Sequence, residues 1–398
     1  MKKAPIKVIF FHIMKENFSG AQKNIYRLLI NLDKTKISSF LVGQGPSPLI
    51  DLIKKKNLKS KVIPYPKELE IYDQRLLKFN PKITYHFLKG LFIYNNSLKK
   101  EFHEISPDVV WCDNIRTLIT IYPSCKSINA KIIWNIWSEP KGLIAWLLHR
   151  IGLILADKIN LEYENQGKKI FGILNHIAFF KRKIIPLYTG VSDFEEFQGT
   201  DLRKELNLKD EEIILTMASN IVPGKGQLDL IKCIKNLKQE FSSINLVLAG
   251  TYVPSSKDSK EYYDSIKTYI KQNSMEDYVH LLGWRNDTRD IFKKSDIYIS
   301  TSYSESFPDA VREAMRESLP IVVTDVGGTR ELINNNKNGF LFNPGDLTSL
   351  QNHIRALVSN ETKRNQMGIE SKKIIETKFS TKQYAQNFSE MIENFFNV

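Results

Sequence analysis

The stretch 302–332, "SYSESFPDAVREAMRESLPIVVTDVGGTREL", decides the fold. It is preceded by "DIYIS", so that "DIYISTS" forms a β-branched run that reads as a strand, and "SESF" becomes the turn at its carboxyl end. Pro308 suits the first helical position, where a fixed φ fits and the missing N–H would have no partner anyway. Glu305 then lies in the loop before a helix and Glu313 on it, about 7–8 Å further along at about 1.5 Å per residue. "PIVVTD" is a second strand, and Gly327-Gly328 behind it permit close backbone approach. Strand, turn, helix, strand is the unit of a parallel sheet. Two readings of the carboxylates stay open: a solvated or self-capping helix face, or ligands for sugar and ribose hydroxyls beside free N–H groups around Ser306 and Phe307.

The same alternation runs through the rest of the chain. "IKVIFFHI", "SSFLVGQ", "SKVIPY", "PDVVWCD", "KIIWNIW", "KINLEY" and "RKIIPLY" make a first series of strand-like runs. Between the first two lies "SGAQKNIYRLLINL", with Ile25, Leu28, Leu29 and Leu32 at helical spacing. "GVSDFEEFQGTDLRKELN" (190–207) reads as a connector, and the series restarts with "EIILTMAS", "INLVLAG", "YVHLLG", "DIYIST", "PIVVTD" and "GFLFNPGD". The expected class is α/β, with two doubly wound Rossmann-like domains facing across a cleft, at 1–190 and 205–382. A chain of 398 residues is long enough for two such cores. A last helical stretch, "TKQYAQNFSEMIENFF", follows the second series.

Composition sets further bounds. With 42% hydrophobic and 25% charged residues, the chain has the make-up of a soluble globular protein. No uncharged apolar run reaches about 18 residues and the amino terminus carries no signal-type cleavage site, so a cytoplasmic protein is expected. Cys112, Cys125 and Cys233 have no paired spacing, which argues against a disulfide framework or zinc site. The formal charge of +13 is uneven: residues 1–100 hold 20 Lys+Arg against 6 Asp+Glu, whereas 101–200 balance at 11 each and 201–398 hold 26 against 27. A local basic field suits an anionic membrane, nucleic acid or a phosphorylated substrate, or is simple lysine-rich bias. "LLKFNPKITYHFLKGLFIYNNSLKK" (76–100) mixes lysines with aromatic and aliphatic residues, as a surface meeting anionic lipid would, or as an ordinary amphipathic helix pair would. "GLIAWLLHRIGLILA" (142–156) reads as a buried helix, with an interfacial helix as the alternative, because His149 and Arg150 interrupt a run too short to span.

Absent motifs narrow the chemistry. G-x-G-x-x-G after the first strand, a Walker-type P-loop, H-E-x-x-H and D-x-D are all missing, so phosphate must be met by Lys, Arg and helix amino termini, with no metal expected. "TMASNIVPGKGQLDLIKCI" offers one candidate: Lys225-Gly226 at a helix start after a strand and a Pro-Gly turn.

"SESFPDAVREAMRESLPIVVTDVGGTREL" closely resembles the E-x7-E block of the retaining family-four glycosyltransferases, which have the GT-B fold. "FSGAQKNIYRLLINL", "IIPLYTGV", "ASNIVPGKGQLDLI", "NLVLAG", "VHLLGWRND" and "NGFLFNPGD" agree in order and spacing. The resemblance implies that Glu305 contacts the donor sugar and steadies positive charge at its anomeric carbon, that Lys225 meets the diphosphate and that Glu313 binds the ribose. It further implies donor contacts from Ser306, Phe307 and Pro308, a nucleotide base near Gly283 and Trp284, and an approach of Ser19 and Gly20 to the donor. The terminal helix, 383–398, would pack back on the first domain. The implied substrates are a UDP- or GDP-linked sugar, with no separate cofactor, and a lipid-linked or surface-polysaccharide acceptor.

The resemblance departs at two points. Asn220 stands where an arginine is usual in the phosphate loop, with Arg285 or Arg330 as a substitute cation. Trp137 and Ser138 stand where a histidine often follows the fifth strand, with Glu139 to take part of its role. The expected function is transfer of a hexose-type sugar with retention. A sugar-nucleotide epimerase of the same fold and a non-catalytic sugar-nucleotide-binding protein are the rivals, and nucleic-acid binding has no recognised module behind it.

Overall fold

The computed structural model describes residues 4–12, 20–69, 81–140, 142–191 and 201–396. Ser19 and the start of the 76–100 stretch therefore lie outside the described residues. The chain divides into two compact units, one made of residues 1–190 and 381–398, the other of 191–380.

The first unit runs β1 (Ile6–His12), α1 (Gly20–Asn31), β2 (Ile37–Gly43), α2 (Pro48–Lys55), β3 (Lys59–Val62), α3 (Pro81–Ile105), β4 (Val109–Cys112) and α4 (Ile115–Ser127). It continues with β5 (Lys131–Ile136), α5 (Leu143–Leu155), β6 (Lys158–Leu161), α6 (Gln166–Phe171), α7 (Ala178–Lys181) and β7 (Ile184–Pro186). The strands form one parallel sheet in the order β3-β2-β1-β4-β5-β6-β7. Both faces are buried, which is why the strands read as continuous apolar runs. Side-chain alternation divides β1: Val8 and Phe10 enter one core, Ile9 and Phe11 the other. The first core is closed by α1 and α2, the second by α3, α4, α5 and α6.

The second unit runs α8 (Leu202–Glu205), β8 (Ile213–Ala218), α9 (Gln227–Glu240), β9 (Ile244–Ala249), α10 (Lys257–Gln272), β10 (Val279–Gly283), α11 (Thr288–Lys293), β11 (Ile297–Ser300) and α12 (Asp309–Arg316). Then come β12 (Ile321–Thr324), α13 (Thr329–Leu332), β13 (Gly339–Phe342), α14 (Leu347–Val358) and α15 (Glu361–Lys378). Its sheet is also parallel, in the order β10-β9-β8-β11-β12-β13. Each unit is thus a doubly wound Rossmann-like α/β sheet, and every strand-like run of the sequence holds one of these strands. The order reverses beside β8, so the loops after β8 and β11 flank the switch point where such sheets hold ligands.

The last helix, α16 (Thr381–Glu393), belongs to the first unit and packs on α1. Tyr384, Phe388 and Ile392 are buried in the first core, with the Phe388 ring 5.4 Å from that of Phe10.

Helix α5 differs from the buried helix favoured by its composition. Only His149, Gly152 and Leu153 are buried, while Leu143, Leu147 and Ile154 are 71%, 48% and 67% exposed. Gly152 explains the inner side: a Cβ there would lie 2.5 Å from the Trp134 ring, so the helix rests on the core by a narrow seam. The three cysteines are all buried thiols, and burial pushes Cys233 up to about 12. Among the described residues no helix is long and apolar enough to cross a membrane, and no group of three metal-ligating side chains gathers.

Candidate active site

The loop after β8 is shaped by its own sequence. Pro223–Lys225 forms a single 3₁₀ turn, and Gly226 follows at φ 69°, a left-handed geometry that favours glycine. A Cβ at Gly226 would lie 2.4 Å from the Thr301 carbonyl oxygen, so glycine also lets the loop touch the end of β11. Three hydrogen bonds join the two loops: Thr301 Oγ1 donates to the Lys225 and Gly226 carbonyls at 3.1 and 2.9 Å, and Tyr303 N to Gly224 O at 2.9 Å. Gln227, itself buried, donates to Ser219 Oγ at 3.0 Å and to Asn220 O at 2.9 Å.

This stitching brings together two residues 80 positions apart. Lys225 Nζ lies 2.5 Å from Glu305 Oε1, with the side chains 25% and 14% exposed. Ser302 Oγ donates to the same oxygen at 2.7 Å. Behind them, Gly327 at φ 55° packs onto the turn: a Cβ there would lie 2.0 Å from Glu305 O, and Gly328 N donates to Ser306 O at 2.7 Å.

Pro308 is the residue before α12 and not its first helical residue, with φ −67° and ψ 119°. The one-residue difference has a simple cause: its ring fixes φ but leaves ψ extended, so the turn of the chain falls at Asp309. Pro308 has no side-chain acceptor with which to cap α12. Phe307 is buried against Phe379 and under the Arg312 guanidinium, which also pairs with Asp309. Glu313 is half-buried on α12. Burial, and then the nearby carboxylates of Glu305 and Glu313, push the Tyr298 phenol up, so both carboxylates act on one buried ring of β11.

The remaining candidates are more scattered. Gly283 ends β10 at φ 69° and its carbonyl accepts from Gly250 N at 2.7 Å, while Trp284 beside it is 70% exposed. Asn220 is exposed. Gly20 opens α1 in the first unit. Neither substitute cation is uncommitted: Arg285 pairs with Asp287 and Glu205, and Arg330 with Asp325. Those carboxylates engage both guanidinium groups, which leaves Lys225 as the cation beside Glu305.

The first unit has a pocket of about 410 Å³ at the carboxyl ends of β1, β4 and β5. His12, Asp113, Trp137, Ser138 and Glu139 line it. His12 Nδ1 lies against Asp113 Oδ2, with each side chain 6% exposed. Asp113 is fixed in turn through Oδ1, which accepts from Asn114 Nδ2 at 2.9 Å and Thr117 Oγ1 at 3.4 Å. Glu139 accepts from the Tyr163 hydroxyl and pairs with Lys169 at 3.2 Å. Sequence reading did not single out His12, Asp113 or Ser302. A histidine closing an apolar strand and a serine three before Glu305 were the available signals.

Comparison with known proteins follows the same division. Over nearly its full length the chain has the architecture of a UDP-bound Anabaena protein, HepE, with a TM-score of 0.79 at 17% identity, covering 97% of this chain and 99% of that one. A glycosyltransferase from Rickettsia africae superposes with a TM-score of 0.77 at 16% identity, covering 98% and 100%. The fold is therefore that of the GT-B glycosyltransferases. Residues 199–374 match the family described as glycosyl transferases group 1. It is 24% identical over 265 residues to the capsular polysaccharide biosynthesis glycosyltransferase CapM of Staphylococcus aureus, covering 65% of this chain and 66% of that one. It is 30% identical over 195 residues to the UDP-Gal:alpha-D-GlcNAc-diphosphoundecaprenol alpha-1,3-galactosyltransferase of Escherichia coli, covering 48% of each. The chain thus spans about half to two thirds of the length of these curated relatives.

Proposed function

We propose that this protein is a glycosyltransferase of polysaccharide, capsule or lipopolysaccharide synthesis, moving a hexose-type sugar from a UDP- or GDP-linked donor to a lipid-linked or surface-polysaccharide hydroxyl. The observation that carries this is the Lys225–Glu305 pair at the switch point of the second sheet, inside the segment that matches the family. Departure of the diphosphate leaves positive charge on the sugar and negative charge on phosphate. Lys225 and the amino-terminal end of α12 would stabilise the phosphate, and Glu305 the sugar cation. Ser306, Phe307 and Pro308 would meet phosphate or sugar through the backbone, Glu313 the ribose, and Gly283 and Trp284 the base. No metal or separate cofactor is called for on this reading, and same-face attack would retain the anomeric configuration.

The acceptor would enter the first unit's pocket, where His12 held by Asp113 offers its remaining ring nitrogen, Nε2, to an incoming hydroxyl. A cytoplasmic protein that touches the inner face of the membrane fits such an acceptor. The relatives that act in capsule synthesis and on a diphosphoundecaprenol acceptor support this reading.

The decisive experiment is a melting screen against UDP-, GDP- and ADP-sugars, followed by incubation of the stabilising donor with and without acceptor. Saturation at about 100 times Kd should add about 2.7 kcal/mol. If no nucleotide sugar raises the melting temperature, the proposal fails. Isomerised donor without acceptor would instead mark an epimerase.

A further inference from the structure

Among the described residues, 17 large apolar side chains are exposed, and 13 of them lie between Tyr85 and Phe179, on helices and turns of the first unit. The concentration is greatest on α5. Leu143, Leu147, Ile151 and Ile154 follow one another at i, i+4, i+8 and i+11, one stripe of a helix of period 3.6, and all four are exposed. The buried residues, His149, Gly152 and Leu153, fall on the opposite side. Beyond the end of α6, Ile173, Ile177 and Phe179 are 81%, 44% and 65% exposed. Such a face is neither a core nor a span. It is solvent-exposed, and 13 residues at about 1.5 Å each reach about 20 Å, short of the roughly 30 Å of a bilayer's hydrocarbon.

Charge identifies the occupant. Residues 142–186 hold seven Lys+Arg against three Asp+Glu, a net +4, and one of the three acids, Glu162, is buried. Lys181 and Arg182 are exposed beside Phe179, and Lys183 lies over the Phe179 ring. Arg150 stacks on Trp146 at the edge of the α5 stripe. The neighbouring α3, which like α5 packs on α4, exposes Tyr85, Leu88 and Phe92, and residues 81–100 carry four lysines and no acid. A second copy of this chain would bring like charges face to face. An anionic lipid surface takes both the apolar stripe and the cations, with indole and guanidinium at the headgroup level.

We propose that α5 and the 173–182 segment form the surface by which this protein lies on an anionic bilayer, α5 in the plane of the interface and its stripe among the upper acyl chains. This rests on the reading of a membrane-borne acceptor and names the part of the chain that meets the membrane.

The test is sedimentation of the full chain with vesicles of phosphatidylcholine containing about one third phosphatidylglycerol, beside pure phosphatidylcholine. Wild type should bind the anionic vesicles and lose binding at high salt. Leu147→Glu/Ile154→Glu should reduce binding at least tenfold, and Lys181→Gln/Arg182→Gln should lower the preference for anionic lipid. Chain-brominated lipid should quench Trp146, and Trp146→Phe should remove that quenching. The substituted positions are exposed, and an unchanged melting temperature and nucleotide-sugar shift show that each variant is folded. Equal vesicle binding by the Leu147/Ile154 double variant and wild type overturns the proposal. So does a wild type that ignores vesicles but forms a dimer which the double variant dissociates. A wild type that fails to bind anionic vesicles while keeping its nucleotide-sugar shift would sink this inference and leave the proposed function standing; a wild type that binds vesicles but shows no nucleotide-sugar shift would do the opposite.

Discussion

At the scale of single residues, the proposed chemistry turns on an exchange of partners. Lys225 is neutralised by Glu305 before any donor arrives, so a diphosphate that takes Lys225 must displace the carboxylate, which is then released toward the sugar. A partly buried pair of this kind, still screened by solvent, is worth about 1 kcal/mol. Glu305→Gln should therefore bind nucleoside diphosphate up to about fivefold more tightly while turning over roughly 10–100-fold more slowly, the cost of a charge-assisted hydrogen bond. Calorimetry with UDP or GDP and a transfer assay check the two halves separately. Equal losses of affinity and rate would mean that the carboxylate merely supports the loop. His12→Asn should lower kcat/KM for the acceptor at least tenfold while the nucleotide-sugar melting shift stays as in wild type, because the His12–Asp113 pair and its pocket belong to the first unit.

At the scale of elements, the turn after β11 depends on Gly327. An alanine there would combine a left-handed φ with a methyl 2.0 Å from a carbonyl oxygen, so Gly327→Ala should cost about 2 kcal/mol or more and weaken nucleotide-sugar binding along with stability. Thermal melts with and without donor measure both. Protonation acts on elements too. Burial holds His149 on α5, His280 on β10 and His353 on α14 below the usual histidine value. Each then binds protons more readily when unfolded, so its contribution to stability is full above about pH 6.5 and is lost as the pH falls toward the folded value. The melting temperature should drop from pH 7 to 5.5, before carboxylates titrate, and His149→Gln should flatten the part that belongs to the first unit. The strands were legible because runs buried on both faces leave an apolar signature wherever they occur. Helix α5 was misread for the same reason: its composition is that of a core helix, and composition records apolarity without recording what covers it. The Lys225–Glu305 and His12–Asp113 pairs were not legible as pairs, since separations of 80 and 101 residues are closed only by sheet order.

At the scale of the whole molecule, the two units differ in how the chain builds them. The second, 191–380, is one continuous segment, whereas the first needs residues from both ends of the sequence. Tyr384, Phe388, Met391 and Ile392 are buried in its core, and four such side chains at about 1.5–3 kcal/mol each rival the roughly 5–15 kcal/mol stability of a domain. A chain cut after Ser380 should therefore lose the first unit's melting transition and keep the second's, with nucleotide-sugar binding retained by calorimetry. During synthesis, the amino-terminal half emerges first, yet Phe10 meets Phe388 only after α16 has been made. The unit translated second is thus free to fold while the first still waits for α16.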